Sequence, residues 1–214
     1  MKLAYILVET REELIQKTCD RHLPFLPVED LIVYTYKEHF NSLKDQLSKF
    51  KNNLILQEIY DRPFEVHNVN LLFTTKDFWD KHSNYDRVLI FQSDSEILKT
   101  GIEEFLEYDY IGAPWKTYDK DYFPYVGNGG FSLRNPKIIS KILTNNTWGK
   151  DMGEDLFLCR CMINQNIGKL ASLEVAQKFS VESVFSLGTL GAHAIDKWLS
   201  KDECNLIRTQ YDNI

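Results

Sequence analysis

Short apolar runs, rich in β-branched and aromatic residues, recur along the first half of the chain and alternate with longer segments whose apolar residues have helical spacing. The runs predict strands at residues 3–8, 31–36, 53–59 and 87–91. The segments between them predict helices at residues 12–22, 39–50 and 68–82. This alternation predicts an α/β fold with a central, mostly parallel mixed sheet flanked by helices.

The pattern changes after residue 100. A short strand is predicted at residues 108–111, and a polar, aromatic loop is predicted at residues 116–125. A helix is predicted at residues 137–143 because Pro136 suits the first helical turn. A second helix is predicted at residues 153–164. No repeat, low-complexity tract or linker interrupts the chain, which predicts one domain.

Composition narrows the class of protein. The chain has 214 residues, of which 43% are hydrophobic and 26% charged, as expected for a globular domain with one core. The formal net charge of −6 argues against nucleic acid as a partner, since a phosphate-binding surface needs clustered Lys and Arg. The apolar run near the N-terminus is too short for a signal peptide or membrane span, and no later stretch would cross a bilayer.

The four cysteines lack the paired spacing of a zinc site. They are Cys19, Cys159, Cys161 and Cys204. We expect them to be reduced and mostly buried, because disulfides are rare in reducing compartments, and we expect the protein to be cytoplasmic.

A cluster of polar residues follows the strand predicted at residues 87–91. It reads Gln92-Ser93-Asp94-Ser95-Glu96. In open α/β sheets ligands bind beyond the carboxyl ends of the strands, and Mg²⁺ or Mn²⁺ takes carboxylates together with nucleotide phosphates. The cluster therefore suggests a metal site. The alternative is that Asp94 and Ser95 only cap the next turn.

Gln92-Ser93-Asp94 resembles the D-x-D motif of GT-A-fold glycosyltransferases, with Gln in place of the first acid. Three further segments resemble motifs of that family in the same order. They are the glycine-rich loop at residues 127–132, the x-E-D element at residues 153–155, and the C-terminal histidine, His193. More narrowly, FQSDS, YDYIGAPW and GNGGFSLR resemble a small family of glycosyltransferase-like domains of poorly defined substrate. The resemblance covers about residues 3–198.

The resemblance implies a GT-A (Rossmann-like) fold in a single domain of residues 1–214. It places a nucleotide-binding half at about residues 1–100 and an acceptor or catalytic half at about residues 101–214. The implied activity is a metal-dependent, inverting transfer of a hexosyl or deoxyhexosyl group from a nucleotide diphosphate sugar, a UDP-sugar in our interpretation, to a saccharide acceptor. The implied cofactor is Mn²⁺ or Mg²⁺.

The resemblance also assigns roles to residues of this chain. Asp155 is the expected base, with Glu154 positioning the acceptor or acting as a second base, and Asp94 and His193 are the expected metal ligands. The donor contacts expected are Glu9, Thr10, Arg11, Lys76, Gln92, Ser93 and Asp94. The sugar and acceptor contacts expected are Trp115, Gly127, Asn128, Gly129 and Gly130.

Each assignment has a purely structural alternative. His193 would then be a loop histidine, and the Glu154-Asp155 pair would carry helix N-terminal charges. Residues 127–130 would form a plain hairpin turn, and Trp115 would belong to the core. Thr10 would cap a helix together with Glu13. Lys76 and Arg134 are also candidate phosphate ligands, and their alternative is that they are solvated surface cations.

Two other functional classes fit parts of the pattern. A sugar nucleotidyltransferase shares acids at strand ends, but it needs a loop rich in Gly, Lys and Arg after the first strand, whereas this chain has VETREE there. A non-catalytic saccharide-binding module needs the aromatic loop but neither Asp94 nor Asp155.

Overall fold

The computed structural model describes residues 1–116 and 124–210. The predicted aromatic loop of residues 116–125 therefore lies largely outside the described residues. No helix in the described part of the chain has the length and apolar character needed to cross a membrane.

A mixed sheet forms the centre of the fold. In the described residues it has six strands, in the order β3-β2-β1-β4-β7-β6. They are β1 Leu3–Val8, β2 Asp30–Thr35, β3 Asn53–Glu58, β4 Arg87–Phe91, β6 Tyr110–Ile111 and β7 Phe131–Arg134. Strands β1 to β4 run parallel, and β7 is antiparallel to both β4 and β6. The predicted α/β class and mixed sheet are confirmed.

A second, small sheet lies beyond the end of β4. In the described residues it has three strands, in the order β5-β9-β8. They are β5 Ser95–Ile97, β8 Ser180–Val181 and β9 Gly191–His193. Strand β5 pairs antiparallel with β9, so that Ser95 lies opposite His193. The backbone N–H of Ala194 also donates to the carbonyl of Asp94 at 2.9 Å. This pairing holds His193 beside the tip of β4.

Every segment predicted as a helix contains one, whereas the described helices after residue 172 were not predicted. They are α1 Glu12–His22, α2 Phe40–Gln46, α3 Val66–Phe73, α4 Lys76–Lys81, α5 Pro136–Asn145, α6 Glu154–Gln165, α7 Leu173–Phe179, α8 Ile195–Trp198 and α9 Lys201–Thr209. The single helix predicted at residues 68–82 is instead two helices. Thr74 and Thr75 interrupt it, and their hydroxyls donate to the carbonyls of Asn70 and Leu71, each at 2.7 Å. Such side-chain bonds compete with the helical backbone pattern.

The core lies on both faces of the large sheet. Alternate residues of β1 face opposite sides, as in a strand buried on both faces. Leu3, Tyr5 and Leu7 belong to one apolar cluster, whereas Ala4, Ile6 and Val8 belong to the other. The four cysteines are all described; they are buried and form no disulfide, as predicted.

Candidate functional site

The tip of strand β4 is fixed to the glycine-rich loop by a backbone bond. The N–H of Gln92 donates to the carbonyl of Gly130 at 3.0 Å. The turn that follows is capped by Ser95, whose Oγ donates to the carbonyl of Gln92 at 2.5 Å. Ser95, rather than Asp94, is the capping side chain, so the carboxylate of Asp94 can point to other partners and is 43% exposed.

His193 is the centre of a small polar cluster. Its Nε2 lies 3.2 Å from Asp94 Oδ1 and 3.2 Å from Gln92 Oε1, and its Nδ1 lies 3.2 Å from Glu182 Oε1. Burial alone would lower the pKa of His193, but the two carboxylates raise it to about 9. The hydrogen bond with His193 holds the pKa of Asp94 well below its usual range. The two carboxylates therefore favour the protonated form of His193.

Two members of this cluster, Glu182 and Lys197, could not be predicted from any motif in the sequence. Glu182 is buried and orients His193 from the opposite side to Asp94. Lys197, in helix α8, donates from Nζ to Asp94 Oδ2 at 3.2 Å. The pairing of β9 with both β5 and β8 brings these residues to the tip of β4, and no local spacing encodes that pairing.

The donor set suits part of the coordination sphere of a hard divalent cation. Within residues 1–116 and 124–210, no three His, Cys, Asp or Glu side chains are arranged so that all three could hold one metal ion. Asp94 and His193 supply one carboxylate and one imidazole, and the amide oxygen of Gln92 lies beside them. Mg²⁺ is commonly bound by one or two carboxylates and completes its sphere with substrate phosphates and water. Glu182 holds Nδ1 in the manner typical of a metal-binding histidine.

The glycine-rich loop is shaped by the protein's own side chains. A Cβ on Gly130 would lie 2.1 Å from His193 Nε2, and a Cβ on Gly129 would lie 2.6 Å from Glu154 Oε1. Gly127 has a φ of +115°, a conformation that favours glycine. The glycines of the loop therefore allow two functional candidates, His193 and Glu154, to pack against its backbone.

Arg134 and Glu154 form a buried ion pair beneath this loop. Both carboxylate oxygens of Glu154 accept from the guanidinium at 2.8 Å, and Arg134 Nη2 also donates to the carbonyl of Gly129 at 3.3 Å. Burial alone would lower the pKa of Arg134, but the charge of Glu154 raises it above its ordinary value. Arg134 is fully buried, so it is neither the surface cation nor the phosphate ligand considered from the sequence.

Asp155 begins helix α6 beside Glu154 but has different partners. Its Oδ2 accepts from the N–H of Gly129 at 3.0 Å, and its Oδ1 accepts from the N–H of Leu156 at 2.8 Å. Burial raises the pKa of Asp155 above its ordinary value, although both backbone donors oppose that rise. Each oxygen keeps a further lone pair, so the carboxylate can accept a hydrogen bond from a ligand.

The ends of β1 and β4 carry a second polar group. The carboxylate of Glu9 is buried and accepts from Arg11 Nε at 2.9 Å and Nη2 at 2.8 Å. Glu9 Oε1 also accepts from the backbone N–H of Thr10 at 3.0 Å. Arg11 Nη2 lies 3.5 Å from Ser93 Oγ, and its side chain is 62% exposed. Arg11, rather than Thr10, is the N-cap residue of α1, without a side-chain cap bond.

Lys76 lies apart from these groups, whereas Trp115 lies beside the glycine-rich loop, since a Cβ on Gly127 would be 3.6 Å from its ring. Lys76 pairs with Asp80 on its own helix at 2.5 Å, and no described contact joins it to the strand tips. Trp115 is half-buried, and its backbone N–H donates to the carbonyl of Tyr125 at 2.9 Å. Trp115 does not line the cleft that the β4 tip forms with the glycine-rich loop.

A cleft of about 160 Å³ joins the β4 tip, the glycine-rich loop and the start of α6. It is lined by Val66, Val69, Asn70, Gln92, Asn128, Gly129, Gly130, Glu154, Asp155 and His193. The three lining residues from α3 were not predicted, because nothing in that helix distinguishes a cleft wall from an ordinary surface.

Comparison with protein families adds one match. A family model described as "Protein of unknown function (DUF5672)" matches residues 53–193. The chain belongs to this family. The matched segment contains the β4 tip, the glycine-rich loop, the start of α6 and His193, which are the elements that form the cleft. No curated protein matches the chain.

Two solved structures share the fold. The apo form of the glycosyltransferase GlyE from Streptococcus pneumoniae TIGR4 is 14% identical, with a TM-score of 0.56 over 94% of this chain and 55% of GlyE. Mouse xyloside xylosyltransferase 1 is 12% identical, with a TM-score of 0.58 over 94% of this chain and all of that chain. The chain thus spans about half the length of GlyE. At these identities the likeness establishes the fold, which is GT-A-like and Rossmann-type, as predicted.

Proposed function

We propose that this protein is a metal-dependent, inverting glycosyltransferase that moves a sugar from a UDP-sugar to a saccharide acceptor. One observation carries the proposal. Gln92, His193 and Asp155 line a single cleft at the carboxyl end of the sheet, and Asp94 bonds to that same His193. This is the edge at which open α/β sheets bind ligands. The shared fold with two glycosyltransferases supports the proposal.

The nucleotide is proposed to bind across the ends of β1 and β4. Glu9 holds the guanidinium of Arg11 through two hydrogen bonds and leaves its outer face exposed. A planar guanidinium fixed in this way suits a phosphate or the edge of a base. Ser93 and Gln92 offer neutral hydrogen bonds to the ribose or the donor sugar.

Asp94 and His193 are the proposed ligands of Mn²⁺ or Mg²⁺. When bound, the metal would supply Lewis-acid neutralisation of the leaving diphosphate. Glu182 fixes the ring of His193, and the exposed ammonium of Lys197 adds a second positive charge beside Asp94. The amide of Gln92 contributes an oxygen without adding charge.

Asp155 is the proposed base for the acceptor hydroxyl. Its oxygens each accept one backbone N–H, so the carboxylate is held in one orientation at the cleft wall. A pKa raised by burial brings the carboxylate closer to the basicity that proton transfer requires. Both oxygens of Glu154 are bound to Arg134, so we assign Glu154 to positioning and not to proton transfer.

The test is a screen of nucleotide sugars with Mn²⁺ and a mixture of saccharide acceptors, measured as released nucleotide. We expect turnover with a UDP-sugar, and we expect Asp155→Asn to lower it by about 100-fold or more while UDP-sugar binding persists. The conservative control is Asp151→Asn, an exposed acid on the preceding turn.

Three outcomes would contradict the proposal. Full activity of Asp155→Asn would remove the base assignment. Release of pyrophosphate from a nucleoside triphosphate and a sugar phosphate would indicate a nucleotidyltransferase. Saccharide binding without breakdown of any nucleotide sugar would indicate a binding module.

A further inference from the structure

A second cavity, of about 250 Å³, lies beside the small sheet. Two aromatic side chains line it and are exposed to solvent, Trp198 at 55% and Phe185 at 38%. Trp198 is far more exposed than Trp79 or Trp148, which are at most 9% exposed. A large aromatic surface that is exposed at a cavity is typical of a ligand-binding site and not of a core residue.

Both walls of this cavity continue directly into the candidate site. Ser183 lines the cavity and follows Glu182, which bonds to His193. Trp198 also lines the cavity and follows Lys197, which bonds to Asp94. Consecutive Cα atoms are about 3.8 Å apart, so each wall lies one residue from a side chain of the His193 cluster. A ligand in this cavity would be a neighbour of a ligand at that cluster.

The polar groups of the cavity complement its aromatic rings. Ser183 Oγ accepts from the backbone N–H of Lys116 at 2.9 Å, and within the described part of the chain its own hydroxyl proton remains available as a donor. Glu203 uses Oε2 to cap helix α9 through Ser200, and within the described residues its Oε1 has no hydrogen-bond partner. Lys116, which also lines the cavity, carries further donors on its ammonium.

This combination matches the chemistry of a sugar ring. A pyranose has an apolar C–H face, which packs on an aromatic ring, and hydroxyls at its edge, which need both donors and acceptors. The volume is below the roughly 300–1,000 Å³ of pockets for larger ligands, so one ring fits better than a whole nucleotide sugar. A purely apolar partner would cover the hydroxyl proton of Ser183 and Oε1 of Glu203 without offering either a hydrogen bond, which disfavours a hydrophobic peptide.

We propose that the cavity formed by Phe185 and Trp198 binds a sugar ring of the saccharide acceptor, with Trp198 as the stacking surface. The proposal rests on the proposed transferase function, because it assigns the acceptor to a place next to the donor and metal site. It differs from the sequence-based expectation, which placed the acceptor against Trp115 and the glycine-rich loop.

Saturation-transfer NMR tests the proposal on the full chain, with a panel of methyl glycosides of glucose, galactose, N-acetylglucosamine and xylose as probes. We expect at least one glycoside to bind the wild type, Trp198→Ala and Phe185→Ala to reduce its affinity at least tenfold, and Trp198→Phe to retain most of it. The matched control is Tyr60→Ala, an aromatic residue that is 80% exposed and lines neither cavity. Thermal unfolding of each variant checks that the fold is intact.

UDP binding, measured by calorimetry in parallel, separates the two proposals. Loss of glycoside binding in Trp198→Ala with unchanged UDP binding supports the subsite. If the wild type binds no glycoside of the panel, or if Trp198→Ala binds as the wild type does, the subsite is overturned while UDP binding leaves the transferase proposal standing. If glycosides bind at Trp198 but no nucleotide sugar binds or reacts, the acceptor assignment is overturned together with the proposed function.

Discussion

The imidazole of His193 packs against the α-carbon of Gly130 so closely that a methyl group there would lie 2.1 Å from Nε2. The same Gly130 accepts from the backbone of Gln92 at the tip of β4. One glycine therefore sets the position of the histidine and joins the glycine-rich loop to the proposed metal site.

Gly130→Ala should displace His193 and disrupt the proposed metal site. A contact of this length requires the imidazole to move, so we expect Mn²⁺ binding in the presence of UDP to weaken at least tenfold. Isothermal calorimetry measures it. Gly149→Ala is the control, since its nearest side-chain atom would be 3.1 Å away, on Asp151, outside the cleft. Equal affinities for the Gly130 variant and the wild type would show that His193 does not bind the metal.

Glu182→Gln should weaken metal binding without removing a ligand. The carboxylate fixes the ring of His193 and strengthens its basicity through Nδ1, and loss of such a partner typically costs about 10- to 100-fold in metal affinity. Calorimetry with Mn²⁺ and UDP measures the change. Glu174→Gln, which removes an exposed carboxylate, should bind as the wild type does. If Glu182→Gln binds Mn²⁺ as tightly as the wild type does, Glu182 has only a structural role.

Arg134→Met should destabilise the protein strongly. Removal of one partner leaves the other charge buried and uncompensated, which costs about 3–5 kcal/mol. We expect the double variant with Glu154→Leu to recover much of that loss in urea-unfolding experiments. The comparison pair is Lys178 with Glu174, which is exposed, so Lys178→Met should change the free energy of unfolding by less than about 1 kcal/mol. Equal losses in the single and double variants would contradict the pairing argument.

Acid should destabilise the protein through His22. Its ring stacks on Phe91, its Nδ1–H donates to the carbonyl of Thr18, and within the described residues its Nε2 has no partner. Burial lowers the pKa of His22 to about 4, so between about pH 6.5 and 4 the unfolded state binds the extra proton. Stability is therefore complete above pH 6.5 and falls as pH drops toward 4.

His22→Phe removes this titration and should make the free energy of unfolding less sensitive to acid over the same range. The pKa difference corresponds to about 3 kcal/mol for one histidine. His82, with a pKa also lowered to about 4 by burial, should account for much of the acid sensitivity that the variant retains. Urea-unfolding curves at pH 7, 6, 5 and 4 measure both proteins. If the free energy of unfolding falls equally with pH in the wild type and in His22→Phe, His22 is protonated in the folded state.

The regular elements with strong local patterns could be predicted from the sequence. The predicted bounds of β1, α1 and β4 coincide with those observed. Helix α2 is shorter than the predicted segment of residues 39–50: it ends at Gln46, and Ser48 Oγ donates to the carbonyl of Asp45 just beyond it. Such terminal hydrogen bonds depend on local geometry that periodicity does not show.

The candidate site could be predicted only in part. Asp94, Asp155 and His193 were found because they occur in recognisable motifs. Glu182, the partner of His193, was not predicted, and Arg134, the partner of Glu154, was considered only as a phosphate ligand. Each becomes meaningful only through contact with a residue distant in sequence. A charged residue at the end of a strand is usually exposed, and the burial of Arg134 depends on Glu154, which no local pattern links to it.

The pairing of β5 with β9 also determines when the site can form during folding. Gln92 and His193 meet across 101 positions of the chain, so nearly half of the sequence must close into a loop before they touch. The entropy of such closure grows with the logarithm of loop length, and contacts of this range form slowly. The β1–β4 sheet can therefore assemble before the His193 cluster does, and a chain truncated before β9 would keep Asp94 but lose the histidine that faces it.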